Sequence, residues 1–358
     1  MAIPAVHALY RQGYEINWVC GKVVQPLLEH YSWIKPIPVD SKAIVSGGIW
    51  SRIINIIDLW KKIGLKRYDL CAILYYDSRY RLLTFPVRAR RKWMLSRGSR
   101  AKVLLAGRNH PGEYTRLLLD LEDSCREKDV LPVRPDRLPP SPLPFKGNQR
   151  RIALVPGAAN HLLREQVSGR LPGQVLRPWP VQNYVALVQC LIDRGWEIVL
   201  LGGPEDMWVS SYFEQLKVAD YIGRLSLPEV ISACDSCDAV VTHDTGPLHL
   251  AGLSEACLIG IFGPTDPGNF LPRRPYAVGI WGGQGFACRP CYDGRDFAPC
   301  KHNACMEQVS PELVLRELDR LLTARSQQTP VPWGVVFPDV TSQMTANSEL
   351  ISLTAHKP

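Results

Sequence analysis

Six consecutive residues, Asp244-Thr245-Gly246-Pro247-Leu248-His249, bring together a carboxylate, a hydroxyl, a glycine and an imidazole. An apolar run, residues 239–242, precedes them, and a helix-like run, 248–253, follows. A second apolar run, 257–262, then ends in Gly263-Pro264-Thr265-Asp266-Pro267. The order strand, turn, helix, strand, turn places Asp244 where a doubly wound α/β sheet holds a phosphorylated ligand. There the backbone N–H groups of Thr245 and Gly246 face an anion, favoured by the helix dipole by about 0.3–1 kcal/mol. A second reading stays open, in which Asp244 only caps the helix that follows.

Two further segments carry charge at turns. Arg177 lies in Leu176-Arg177-Pro178-Trp179-Pro180, at the start of a helical pattern over 181–192. A guanidinium there can clamp phosphate bidentately. Glu205 and Asp206 follow the Gly202-Gly203-Pro204 turn, where either is a ligand-binding acid or a solvated turn carboxylate. Four thiols, Cys288, Cys291, Cys300 and Cys305, are close enough in sequence to hold a structural zinc or iron. Their inner spacings are irregular for a zinc ribbon, so reduced thiols or a facultative disulfide remain open. The pair Cys234 and Cys237 falls in a helical stretch and reads as core packing.

These residues need a scaffold, and the C-terminal part supplies a regular one. Strand-like runs at 151–155 and 197–201 are each stopped by Gly and Pro. Helical periodicity covers 181–192, and Ser226 with Glu229 forms a capping box opening a helix to about 237. Such alternation predicts a parallel sheet with helices on both faces. The N-terminal part opens directly on a helix pattern, Ile3, Val6, Leu9 and Tyr10, followed by strands at 16–20 and 68–76. A nucleotide-binding half of this kind is expected to begin with a strand, and none precedes this helix.

Six prolines fall in residues 131–144, as in an extended linker. The expected organisation is therefore an N-terminal domain over 1–130, a linker over 131–145, a C-terminal α/β domain over 146–325 and a tail over 326–358. The chain of 358 residues has no run of about 18 apolar residues, which argues against a membrane span. It opens without the pattern of a signal peptide. Its eleven cysteines in so large a chain suggest a reducing, cytoplasmic setting. A net charge of +8 favours an anionic partner. Residues 79–108 carry ten Lys and Arg and no acidic residue. That block suits an anionic acceptor or an acidic lipid surface, or is simply a solvated face. Few aromatic residues interleave with it and no nucleic-acid motif accompanies it, so nucleic acid is not an expected partner.

The run from residue 239 through Asp-Thr-Gly-Pro-Leu-His-Leu-Ala to Phe-Gly-Pro-Thr-Asp-Pro resembles the family 9 glycosyltransferases, whose best-known members are ADP-heptose:lipopolysaccharide heptosyltransferases. Val155-Pro156-Gly157-Ala158-Ala159, Trp179-Pro180 and Leu200-Leu201-Gly202-Gly203-Pro204-Glu205-Asp206 agree with it. The resemblance covers most of residues 150–320 and is weaker before them, through Ile3-Pro4-Ala5-Val6.

The resemblance implies a GT-B fold, two Rossmann-like domains facing a cleft, and inverting transfer of a heptose from ADP-heptose to a lipopolysaccharide core or related glycan. It makes Asp244, Thr245, Gly246 and His249 the diphosphate-binding turn, although a packed helix histidine remains open for His249. It makes Arg177 the stabiliser of the leaving group, and Glu205 or Asp206 the ribose-binding acid, with Glu205 preferred. No catalytic cofactor is implied. The family's general base is an Asp in a Gly-Asp turn just ahead of the segment matching Ala2-Ile3-Pro4-Ala5-Val6. No base is therefore assigned within the chain. The expectation is that Met1 is an internal methionine of a longer reading frame; the alternative is a truncated, donor-binding remnant. A sugar-nucleotide epimerase of the same fold is the other enzyme reading.

Overall fold

The computed structural model describes residues 1–64, 66–76, 79–96, 102–105, 107–121, 130–158, 176–292, 297–298, 300 and 302–339. The chain divides into two compact units. One comprises Met1–Pro142 with Leu225–Ala233, the other Leu143–Arg224 with Cys234–Pro358. The division falls inside the Pro-rich stretch, and residues 225–233 group with the first unit.

In the first unit the helices are α1 (Ile3–Arg11), α2 (Gln25–Leu28), α3 (Ser41–Ser46), α4 (Ile49–Ile63), α5 (Arg79–Leu83) and α6 (His110–Leu118). Its strands are β1 (Ile16–Gly21), β2 (Ile34–Val39), β3 (Arg67–Ile73) and β4 (Arg88–Met94). β1 pairs with β2 and β3 with β4, both in parallel, as two separate two-stranded sheets. A cavity of about 1070 Å³ is bounded by β1 and β3, by Val6 and Leu9 of α1, and by Leu59 and Ile63 of α4. The Pro-rich stretch is tied to this unit. Tyr31 Oη donates to the Val133 carbonyl at 2.9 Å, and Asp136 Oδ2 accepts from both the amide and the hydroxyl of Ser32 at 2.6 Å.

The second unit is built on seven parallel strands. They are β5 (Arg151–Leu154), β6 (Glu197–Leu200), β7 (Ala219–Asp220), β8 (Ala239–His243), β9 (Cys257–Phe262), β10 (Ala277–Trp281) and β11 (Gly334–Val336). Their order is β11-β10-β9-β8-β5-β6-β7. The central strands are buried throughout and mostly apolar because both faces are covered, as parallel sheets require. Its helices are α7 (Val181–Asp193), α8 (Leu227–Asp235, shared with the first unit), α9 (Gly246–Ala251), α10 (Pro267–Phe270), α11 (Ala304–Glu307) and α12 (Pro311–Ser326).

Pro180 opens α7, and its apolar positions Val181, Tyr184, Leu187, Val188 and Leu191 are all buried. Ser310 caps α12 by accepting from the Leu313 amide at 3.3 Å. Ser226, just before α8, donates its hydroxyl to Oε2 of Glu229 in the first turn at 2.6 Å. Residues 334–336, which the sequence places in a tail, add an edge strand beside β10.

The topology fixes where a ligand can lie. The chain runs from β5 outward to β6 and β7, then returns to β8 on the other side of β5. The connections therefore diverge between β5 and β8, opening a crevice at their carboxyl ends.

Core burial decides what a truncation costs. Leu191→Ala, at a fully buried position, is expected to destabilise the chain by about 2–5 kcal/mol in urea denaturation. Ile54→Ala, on an exposed face of α4, should stay within about 0.5 kcal/mol.

Candidate functional site

β8 is buried along its whole length, and the next residue, Asp244, is only 2% exposed. Asp244 does not cap α9. Thr245 is the N-cap, in extended backbone, and no side chain bonds the first turn. Instead Asp244 Oδ2 accepts from Thr265 Oγ1 at 2.8 Å and stands 3.7 Å from Arg177 Nη1. The Thr245 hydroxyl turns back to the His243 carbonyl at 3.4 Å. Gly246 is exposed, and a Cβ built there would meet open space. The first turn of α9 is thus uncrowded beside a buried carboxylate.

Arg177 is held by its neighbours. Leu176 and Trp179 are each 1% exposed, Trp179 Nε1 donates to the Val309 carbonyl at 2.8 Å, and Asn303 Nδ2 donates to the Pro178 carbonyl at 3.3 Å. Arg177 itself stays half-buried, and its Nε finds no hydrogen-bond partner among the described residues. A buried donor left in this state favours an added acceptor. Burial pushes the Asp244 carboxyl up, while the Arg177 charge and the bonds from Thr265 and Arg177 pull it back.

A polar pair lies beneath this cluster. His243 is fully buried, with Nδ1 3.0 Å from Tyr184 Oη. Burial first, and the Arg177 charge second, lower its pKa to about 3, so the imidazole is neutral at physiological pH. Burial also pushes the Tyr184 hydroxyl well up. A neutral imidazole beside Arg177 avoids a second buried cation there.

The turn after β6 separates its two acids. Asp206 is buried, and its Oδ2 accepts from the Gly203 amide at 2.8 Å, closing the start of a 3-10 helix over Pro204–Phe213. It also packs against Gly157, where any added Cβ would overlap the Asp206 side chain. Glu205 is exposed. Asp206 is thus committed to the turn, and Glu205 is the acid that solvent or a ligand can reach. His249 is half-buried on α9.

Cys291 and Cys305 are buried, Cys300 is half-buried and Cys288 is exposed. The Cys291 thiol is pushed up to about 12 by burial, then by Cys288, Cys305 and Cys300. Cys305 is pushed up to about 11 by burial, then by Cys300 and Cys288. The four thiols therefore act on one another. Among the described residues, however, no group of three or more His, Cys, Asp or Glu is arranged to hold a metal ion. Residues 293–296, 299 and 301 of this segment lie outside the described set. In the basic block, Arg88, Arg90, Arg91 and Lys92 are exposed along β4. Asp120 pairs with Arg91, at 3.7 Å, and with Lys102. Arg97 and Arg100 lie outside the described residues.

Sequence reasoning assigned no role to Thr265, His243 or Tyr184. Thr265 lies in the Gly263–Pro267 turn, and its link to Asp244 spans 21 positions. Tyr184 reads as one more apolar position of α7, and His243 as the end of a strand. Only the β5–β8 crevice, formed on folding, joins them.

The His243 shift has a sign that can be tested. The folded imidazole resists protonation while the unfolded one, near its usual 6.5, takes a proton, so stability falls as pH drops from 6.5 toward 3. His243→Asn is expected to destabilise the chain at about pH 7.5. That deficit should shrink by about 2 kcal/mol near pH 5, because a one-unit shift is worth about 1.4 kcal/mol. Urea denaturation of both proteins at the two pH values measures it.

Residues 174–302 match glycosyltransferase family 9 (heptosyltransferase). The chain is 25% identical over 273 residues to lipooligosaccharide heptosyltransferase 2 of Haemophilus influenzae, covering 72% of this chain and 77% of that protein. Its fold resembles that of the family 9 glycosyltransferase from Veillonella parvula, with a TM-score of 0.65 and 18% identity over 90% of this chain and 92% of that one. It also resembles E. coli ADP-heptose lps heptosyltransferase II, with a TM-score of 0.63 and 19% identity over 90% and 95% of the two chains. Together with the seven-stranded parallel sheet, these matches give the chain a GT-B fold and make it similar to the heptosyltransferases of glycosyltransferase family 9.

Proposed function

We propose that the chain transfers a heptose from ADP-heptose to a lipopolysaccharide core or another cell-envelope glycan, with inversion at the anomeric carbon. The observation that carries the proposal is the Asp244–Arg177–Thr265 cluster at the β5–β8 divergence. It sets a cation with an unsatisfied N–H beside an uncrowded helix start, which suits a diphosphate. The name of the E. coli structural relative and the family match support the choice of sugar and nucleotide.

On this reading the amides of Thr245 and Gly246 and the imidazole of His249 receive the diphosphate oxygens, and Glu205 accepts from the ribose hydroxyls. Asp244 holds Arg177 in place, and Asp206 shapes the turn that presents Glu205. The acceptor hydroxyl attacks the anomeric carbon from one face as the bond to the diphosphate breaks on the other. A general base takes the hydroxyl proton, and that base is not assigned to any residue described here. Arg177 and the α9 amides stabilise the charge on the departing nucleoside diphosphate, so transfer needs no metal cofactor.

Among the described residues no helix is long and apolar enough to cross a membrane. We place the enzyme at the cytoplasmic face of the inner membrane, in peripheral contact through the exposed arginines of β4.

Purified protein, ADP-heptose and a lipopolysaccharide core acceptor test the proposal, with the glycosylated acceptor read by mass spectrometry. Arg177→Ala is expected to lower kcat by about 10²–10³-fold, the usual loss for one group stabilising developing charge. Arg177→Lys should restore part of it. Full activity in Arg177→Ala would remove Arg177 from the reaction. A donor sugar altered with no transfer would point to an epimerase and sink the transferase assignment.

A further inference from the structure

α4 has two apolar faces and buries only one. Ile56, Leu59 and Ile63 are 7%, 1% and 4% exposed and pack into a core cluster with Leu83. Ile49, Ile53 and Ile57, spaced four apart, and Trp50 and Ile54, also four apart, line a second face. These five are 70%, 41%, 43%, 75% and 65% exposed in that order. A helix apolar over most of its circumference is normally enclosed. The exposed face also continues onto the neighbouring element. Trp60 Nε1 donates to the Leu82 carbonyl at 3.0 Å, and its ring centroid lies 5.9 Å from that of Phe85. Leu82 and Phe85 are themselves 50% and 73% exposed. The result is a contiguous apolar ridge on the first unit, far larger than the scattered surface leucines of an ordinary protein.

Charge selects what covers it. The exposed basic residues of these elements are Arg52, Lys61 and Lys62 on α4 and Arg79 and Arg81 on α5, and β4 carries the exposed row Arg88, Arg90, Arg91 and Lys92, the last of which donates to the Thr84 carbonyl next to Phe85. The one acid on α4, Asp58, is engaged by Lys62 at 2.6 Å. Two copies of this surface would repel each other, whereas a negatively charged bilayer would attract it. Apolar side chains with an exposed Trp, rimmed by Lys and Arg, have the chemistry of an interfacial helix lying in the headgroup plane.

We infer that the Ile49–Ile57 face of α4, with Leu82 and Phe85, is a docking surface for an anionic phospholipid bilayer, and that the flanking basic residues hold it there. The inference deepens the peripheral contact proposed above by assigning insertion to α4 and attraction to the basic rim.

The full chain is sedimented with phosphatidylcholine vesicles and with vesicles enriched in phosphatidylglycerol, without donor or acceptor, so this test is read independently of transfer. Binding to the anionic vesicles is expected, weakening as salt rises, with a blue shift of tryptophan emission lost in Trp50→Ala. Ile53→Asp with Ile54→Asp should lower partitioning by about tenfold or more while leaving the thermal midpoint unchanged, because both side chains are exposed. Arg90→Glu with Arg91→Glu should weaken binding to anionic vesicles only. Equal partitioning of wild type and Ile53→Asp/Ile54→Asp would overturn the inference. So would a stable dimer of the wild type that these substitutions dissolve, which would give the face to a second copy.

Discussion

The second unit depends on a reversal of direction: β5 lies between β6 and β8, and the chain leaves it on one side and returns on the other. At that point the connections diverge, so the crevice between the strand ends can hold polar groups. The side chains that meet there come from three separated segments, at Arg177, Asp244 and Thr265. A carboxylate this deeply buried costs several kcal/mol to charge unless a cation and a hydrogen-bond donor face it. Arg177 and Thr265 answer that need, and Trp179 and Leu176 keep Arg177 within reach. The neutral His243–Tyr184 pair fills the space beneath without adding charge.

The layout of this unit is legible in the sequence because its periodicities are strong. Short apolar runs stopped by Gly and Pro mark β5 and β6, and the apolar spacing after Pro180 marks α7. What Asp244 does there is not legible. A carboxylate ahead of a helix usually caps it, and nothing local distinguishes capping from an ion pair with a distant arginine. The same limit applied at the 205–206 turn. Both acids look alike in sequence, and only the backbone of the turn turns Asp206 inward and Glu205 out. The β11 strand was hidden for a related reason. Gly334-Val335-Val336 is a short apolar run hemmed in by Pro332 and Pro338, too brief to show a period, and it becomes a strand by pairing with the edge of β10.

The first unit is less regular, and its surface carries more of its meaning. Its two parallel pairs flank a cavity walled by apolar side chains from α1 and α4. The basic run that stood out in the sequence becomes, in part, the exposed row of β4. Charges there also keep an edge strand from pairing with another chain, so the row has a structural use beside any partner. The apolar surplus of α4 passed unnoticed in the sequence, since Ile and Trp at nearly every turn read as core until burial shows which side faces inward.

Calorimetric or thermal-shift titration with a panel of sugar nucleotides tests the proposed donor site most directly. At about 100 times its Kd, ADP-heptose should stabilise the chain by about 2.7 kcal/mol, and Arg177→Ala should lose most of that gain. Stabilisation by a UDP- or GDP-sugar with none by ADP-heptose, or an equal gain in Arg177→Ala, would contradict the account.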